Sequence, residues 1–186
     1  SATIAEGEVL QLTVSRDIST DEGIYLKVIR GKTAALFSAA TQVGAVISGS
    51  EEPIINALYK YGDALGVAFQ IVDDLLDVAG DSKIIGKNNG DDFRERKLTL
   101  PFIKAISSCN QNEKDFWKRT IEKGDQTSED FNTALELMQK YEAIERTRLD
   151  ALKWAKTAKN SLDAVPDNDI KIILTNLADY VVDRVK

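Results

Sequence analysis

Histidine is missing from this 186-residue chain. That absence removes Ser-His and Cys-His nucleophilic dyads and zinc sites built on imidazole. Cysteine occurs once, as Cys109, so no intrachain disulfide can form and a reducing, cytoplasmic setting is expected. Positive charge is in deficit: 24 Lys and Arg face 30 Asp and Glu, for a net charge of -6 and a pI of about 4.8. A surface of that sign argues against nucleic acid as a partner, and an anionic ligand would need a local basic patch. No run is both long and apolar. Thr33 to Ser50 carries no charge, but Thr33, Ser38, Thr41, Gln42, Gly44, Ser48 and Gly49 make it too polar for a membrane span, so it reads as a core helix. No signal-peptide pattern opens the chain, and without an initiator Met, Ser1 reads as a processed or truncated start.

What remains for chemistry is carboxylates and lysines, and the hard oxygens of the carboxylates suit cations such as magnesium. Apolar residues recur at helical spacing almost throughout, and alternating patterns are absent beyond the short "KIIGK". There is no Gly/Ser-rich linker and no internal repeat. The expectation is one all-α domain over residues 1–186. Its helices fall near Thr3–Val14, Asp21–Ile47, Pro53–Ala79, Pro101–Cys109, Glu113–Lys123, Ser128–Lys140, Glu142–Ala164 and Asp169–Val185. The prolines Pro53, Pro101 and Pro166 mark helix starts, and Ser19 (with Glu22), Ser50 and Ser128 are candidate N-caps. The longest irregular stretch, Gly80 to Leu100, carries both signs of charge, and long loops of that kind tend to be functional.

The run "FQIVDDLLDVAG" breaks several local rules together. At 100° per residue the apolar side chains from Leu65 to Ala79 cover a broad arc, and Gln70, Asp73, Asp74 and Asp77 share the remainder. Asp73 and Asp77 stack at i and i+4, with Asp74 about a quarter turn away, so the carboxylates converge on a small volume. They lie just before Gly80, near a helix C-terminus, where the macrodipole disfavours anions. A solvated acidic stripe is the plain alternative. The flanking apolarity and the absent counter-charge favour a magnesium site that leaves coordination positions to water and a phosphate-bearing substrate. Lys32, Lys87, Arg94, Arg96 and Lys97 are the nearby cations in sequence, and together they would clamp a diphosphate.

With these residues in view, "GVAFQIVDDLLDVAGD" followed by "IGKNNGDDFRERKLTLP" closely resembles the second aspartate-rich region of trans-isoprenyl diphosphate synthases. "YLKVIRGKTAALFSAATQVGA" is similar to that family's preceding helix with its Lys-Thr pair. "IAEGEVLQL" and "LADYVVDRVK" also look like the family, so the resemblance spans essentially the whole chain, with wording nearest to bacterial octaprenyl and decaprenyl synthases. It implies an all-α bundle of the isoprenoid synthase type and a reaction in which an allylic diphosphate is ionised and attacked by isopentenyl diphosphate. By resemblance, Asp73 and Asp77, supported by Asp74, would hold magnesium. Asp92 would act through water; Lys32, Lys87 and Lys97 would take the diphosphate; Thr33 and Gln70 would turn oxygens toward the developing cation. The family's two-fold dimer implies an interface through the first two helices.

Two departures stand out. Arg96 fills a position often held by glycine, where it would tighten diphosphate contact or be a subgroup habit. The family's other aspartate-rich motif has no counterpart here, since "TDEG", "EKDF" and "SEDF" lack its pattern. The chain therefore looks like the C-terminal half of a synthase, expected to be inactive alone. The alternatives are a non-catalytic helical subunit of a heteromeric synthase, which retention of Lys32, Lys87 and the aspartates disfavours, and a terpene cyclase or head-to-head synthase, which "GKNNGDDFRERKLTLP" disfavours.

Overall fold

A computed structural model describes residues 2–79 and 89–185, and these residues are helical with no strand among them. Helix α1 (Ala2–Val14) is followed by α2 (Glu22–Ile29), which runs through a π-helical turn at Arg30–Ala34 into α3 (Ala35–Ile47). The long α4 (Glu52–Ala79) comes next, then a single turn α5 (Asp91–Arg94) and α6 (Leu100–Ser108). Helix α7 (Gln111–Trp117) passes into a second π turn at Lys118–Glu122. Helices α8 (Asp130–Lys140), α9 (Ala143–Ser161) and α10 (Asp169–Asp183) complete the order. Among the described residues no helix is long and apolar enough to cross a membrane.

Helix α4 is the axis of the molecule. From Ala64 to Ala68 every side chain is buried, because α4 packs chiefly against α3 on one side and α9 on the other. A helix covered on opposite faces must be apolar around most of its circumference, which is the pattern read from the sequence. Two glycines let α3 approach. A Cβ at Gly66 would lie 2.6 Å from the Ala34 Cα, and one at Gly62 would lie 2.6 Å from the Phe37 carbonyl oxygen. On the opposite side of the π turn, Gly7 of α1 meets Gly31 backbone to backbone, its Cβ position lying 2.7 Å from the Gly31 carbonyl carbon.

The caps differ from those expected. Asp21, not Ser19, caps α2 by accepting from the Ile24 N–H at 2.8 Å, while Ser19 donates its own N–H and hydroxyl to Asp17. Asn110 and Glu113 form a reciprocal capping box on α7 that the sequence reading passed over. Asp130, rather than Ser128, accepts from the Thr127 N–H ahead of α8 and also takes Arg119 in a two-pronged ion pair at 2.6 and 2.9 Å. Pro53 and Pro101 each fall in a first helical turn, whereas Pro166 lies before Asn168, the side-chain cap of α10. The expected single helix from Asp21 to Ile47 is interrupted by its π turn, which is where Gly31 meets Gly7.

An aromatic group fixes the segment beyond the aspartates. Phe93 of α5 is fully buried and meets Phe102, Trp117 and Phe131 with ring centroids 6.1, 6.4 and 5.8 Å away. Burying one phenyl ring contributes about 2–3 kcal/mol, enough to anchor a one-turn helix that would not persist by itself. Nearby, Lys104 is buried and bonded to both Glu22 (2.9 Å) and Asp150 (2.8 Å), joining α2, α6 and α9.

Candidate functional site

Helix α4 delivers Gln70, Asp73, Asp74 and Asp77 in its last turns, and the three aspartates end up in three different environments. Asp73 is exposed. Asp77 is half-buried and accepts the backbone N–H groups of Asp91 (3.0 Å) and Asp92 (3.2 Å). The backbone joins in, since the Gly90 N–H donates to the Asp77 carbonyl at 2.8 Å and Gly90 takes a φ of 83°, a conformation open to glycine without strain. Asp74 turns into the core at 3% exposure. Its two oxygens are taken by the Tyr25 hydroxyl at 2.5 Å and the Gln70 amide nitrogen at 2.9 Å. Thr33, on the π turn, donates its hydroxyl to Gln70 Oε1 at 2.9 Å.

Electrostatics tie these groups together. Burial pushes Asp74 up to about 7 against the opposing hydrogen bonds from Tyr25 and Gln70, with the charges of Asp92 and Asp73 adding to the rise. Burial, then the charge of Asp92, pushes Asp77 up to about 6, while the two N–H groups pull it down. Asp92 is itself raised, first by burial, although Lys97 pulls it back. Tyr25 is held well above the usual phenol range by burial and by the Asp74 charge. Carboxylates that raise one another are short of positive charge, and the chemistry of the set, hard oxygens in a charge-deficient corner, fits magnesium. Among the described residues, though, no three acidic groups come together closely enough to hold an ion unaided. The expected convergence of three aspartates therefore loses Asp74, which faces inward to Tyr25 and Gln70.

The cations are distributed unevenly. Lys32 follows the π turn's Gly31 and binds Gln11 of α1 at 2.7 Å and Glu8 at 3.0 Å. Lys97 pairs with Asp92 at 3.5 Å and with Glu95; burial pulls its pKa down, but the two carboxylates outweigh this and leave it raised. Lys32, Lys97, Gln70, Asp74, Tyr25 and Gln11 line one cleft. Its enclosed volume of about 40 Å³ has room for a few waters. Lys87 lies outside the described residues. Arg94 bonds to Asp91 and the Asn89 carbonyl. Arg96 takes a left-handed backbone, φ 59°, and its guanidinium covers Gly124 instead of reaching the aspartates. Of the residues that matter to this geometry, sequence reasoning missed Tyr25, Gln11 and Glu8. The only hint of the first was its spacing, seven residues and so two helical turns before Lys32.

Comparison with known proteins gives consistent matches. The polyprenyl synthetase family model matches residues 1–138. An octaprenyl diphosphate synthase of Haemophilus influenzae is 37% identical over 181 residues, covering 97% of this chain and 55% of its own length. The crystal structure of a decaprenyl diphosphate synthase from Rhodobacter capsulatus is 59% identical with a TM-score of 0.95, covering 100% of this chain and 57% of that one. A polyprenyl synthase from Caulobacter crescentus, crystallised with calcium and isoprenyl diphosphate, is 45% identical with a TM-score of 0.92, covering 97% and 55%. The chain thus spans little more than half the length of the relatives it matches.

Proposed function

We propose, from the premise that this chain belongs to the polyprenyl synthetase family, that it is the magnesium- and diphosphate-binding part of a long-chain trans-polyprenyl diphosphate synthase. Its substrates are an allylic diphosphate and isopentenyl diphosphate, and its setting is cytoplasmic. The observation that carries the reading is geometric: Asp77 holds the Asp91 and Asp92 N–H groups at the end of α4, Asp92 pairs with Lys97, and Lys97 and Lys32 line the adjoining cleft. The Caulobacter relative, seen with calcium and isoprenyl diphosphate, supports it.

Magnesium held by Asp73 and Asp77, with Asp92 acting through water, would supply positive charge to the departing diphosphate. Lys32 exchanges its contact with Glu8 for a phosphate oxygen, and Lys97 and Lys87 add donors to the same group. Asp77, by gripping the Asp91 and Asp92 N–H groups, keeps Asp92 and Lys97 beside it. When the allylic C–O bond breaks and the electron pair leaves with the diphosphate, Thr33 and Gln70 offer oxygen lone pairs to the positive carbon without being nucleophilic enough to capture it. The isopentenyl double bond then attacks, and a proton is lost to form the new alkene. By itself the chain offers one bank of carboxylates, and we take it to be inactive in elongation. The exposed apolar residues Val9 and Leu12 of α1, together with α2 and the start of α3, are taken as a homodimer interface.

The test is calorimetric titration with a bisphosphonate, with and without magnesium. Magnesium alone binds weakly, because it keeps its waters until phosphate oxygens replace them, and the bisphosphonate tightens strongly when both are present. An affinity that ignores magnesium, or survives Asp73→Ala with Asp77→Ala unchanged, defeats the proposal.

A further inference from the structure

Four polar side chains from three stretches of chain form one line: Tyr25 on α2, Asp74 and Gln70 on α4, and Thr33 on the π turn. We propose that Tyr25 and Asp74 are positioning residues that set which atom of the Gln70 amide faces Thr33, and so turn oxygen lone pairs toward the place where positive charge develops. The proposal rests on the reading of the site given above, in which Thr33 and Gln70 face the allylic carbon.

The direction of every hydrogen bond in the line follows from its inner end. The ionised Asp74 carboxylate, the form that a bound cation favours, only accepts, so it takes the Tyr25 O–H at 2.5 Å on one oxygen and an N–H of Gln70 at 2.9 Å on the other. With its nitrogen committed to Asp74, Gln70 has only its oxygen to present to Thr33, 2.9 Å away. Thr33 is thereby forced to donate, and its proton points at Gln70, leaving lone pairs on the free side of the hydroxyl. Were the Gln70 amide reversed, its nitrogen would donate to Thr33 and aim N–H dipoles at the same place, which repels a cation instead of stabilising it.

Tyr25 makes this order persist. Asp74 is 3% exposed and Tyr25 is 4% exposed, so the partners that fix the carboxylate are supplied by the protein itself. An amide rotates freely about its last side-chain bond, and only a fixed acceptor distinguishes its two ends. Neither Tyr25 nor Asp74 needs to touch the substrate for this. Asp74, one of the three aspartates of that run, therefore serves through Gln70.

The experiment compares two bisphosphonates of the same shape on the full chain with magnesium present. One carries a protonated nitrogen where the allylic carbon would lie, and the other a neutral carbon. Binding of the neutral probe reports the diphosphate and magnesium contacts, and the ratio of the two affinities reports the oxygen dipoles. Charged hydrogen-bond partners are worth about 1.5–3 kcal/mol, so the wild-type chain should prefer the cationic probe by about tenfold or more. Tyr25→Phe should bring that ratio close to one while leaving the neutral probe's affinity unchanged.

Asp74→Asn gives an independent reading should the phenylalanine variant fold poorly. With Oδ1 still accepting from Tyr25, its new NH2 faces Gln70, which must answer with oxygen and turn its nitrogen toward Thr33, so the cationic probe should lose its preference. A variant that weakens both probes equally would show a structural role only and overturn the proposal. A preference retained in both variants would overturn it too, with the diphosphate site intact. Failure of the neutral probe to bind the wild-type chain with magnesium would instead overturn the reading of the site, and this proposal with it.

Discussion

Replacing Gly66 by alanine and replacing Gly44 by alanine should move stability in opposite directions, although both glycines lie inside long helices. In a solvated helix the change to alanine gains about 1 kcal/mol, because glycine loses more backbone freedom on folding. Gly44 is exposed on α3, and a Cβ there meets nothing within 4 Å, so it should show that gain. At Gly66 the new Cβ would stand 2.6 Å from the Ala34 Cα, 2.9 Å from its Cβ and 3.2 Å from Phe37 Cδ2. Carbon atoms rest near 3.5–4.0 Å, so α4 and the π turn would have to part by about 1 Å. Ala34 is backbone and methyl, with no flexible end to move aside. Overpacking of this kind costs about 1–3 kcal/mol, which cancels or exceeds the propensity gain, and the separation also pulls Thr33 from Gln70. For a chain of this size 1 kcal/mol is about 2–4 °C of Tm. Thermal melts followed by circular dichroism should therefore place Gly44→Ala a few degrees above the parent and Gly66→Ala level with it or several degrees below. A rise in Tm for Gly66→Ala matching that of Gly44→Ala would refute the close helix approach.

Three further outcomes are expected. Asp130 is held down to about 2 by Arg119 and the Thr127 N–H, so its contribution to stability is complete above the ordinary carboxylate pKa and is lost as pH falls from about 4 through about 2; Asp130→Asn should cost about 1 kcal/mol at pH 7 after allowance for the partly exposed arginine, and only a small part of that at pH 2, by urea melts at both values. Light scattering at tens of micromolar, about the range of a modest interface, should give a dimer that Leu12→Glu dissociates, and a monomeric parent would count against the interface. Incorporation of labelled isopentenyl diphosphate by the purified chain should stay at background, since losing one metal clamp removes about 4 kcal/mol of transition-state stabilisation, or roughly a thousandfold in rate; robust elongation would show the site to be complete within these residues.

The helical order was legible because α4 is apolar around nearly its whole circumference and prolines stand in the first turns of α4 and α6. The polar arc of α4 was legible as well, with Asp73 exposed and Asp77 half-buried on it. What could not be read was the orientation of Asp74. An angle of 100° places it at the margin between the polar arc and the core, and the margin is decided by Tyr25, a residue 49 positions away. The π turn at Arg30–Ala34 was hidden for a related reason. Its residues keep helical spacing, and only the meeting of Gly7 with Gly31 on another helix reveals the wider turn. The α2 cap was misassigned because serine and aspartate alternate along "SRDISTDEG", and composition does not say which oxygen reaches the helix.

The contact between Arg96 and Gly124 has a consequence for how this sequence can drift. Both residues hold left-handed backbone, φ 59° and 73°, and the guanidinium of one occupies the space where a side chain on the other would begin. The two positions are unequal in what they permit. Arg96 can become glycine in a single step, easing its own backbone and vacating the surface of Gly124. At Gly124 the guanidinium is a flexible end that can swing aside, so the limit on a side chain there comes from its own φ of 73°. Position 96 is therefore free to lose its side chain, while position 124 is held to glycine by its own backbone, with or without the arginine above it.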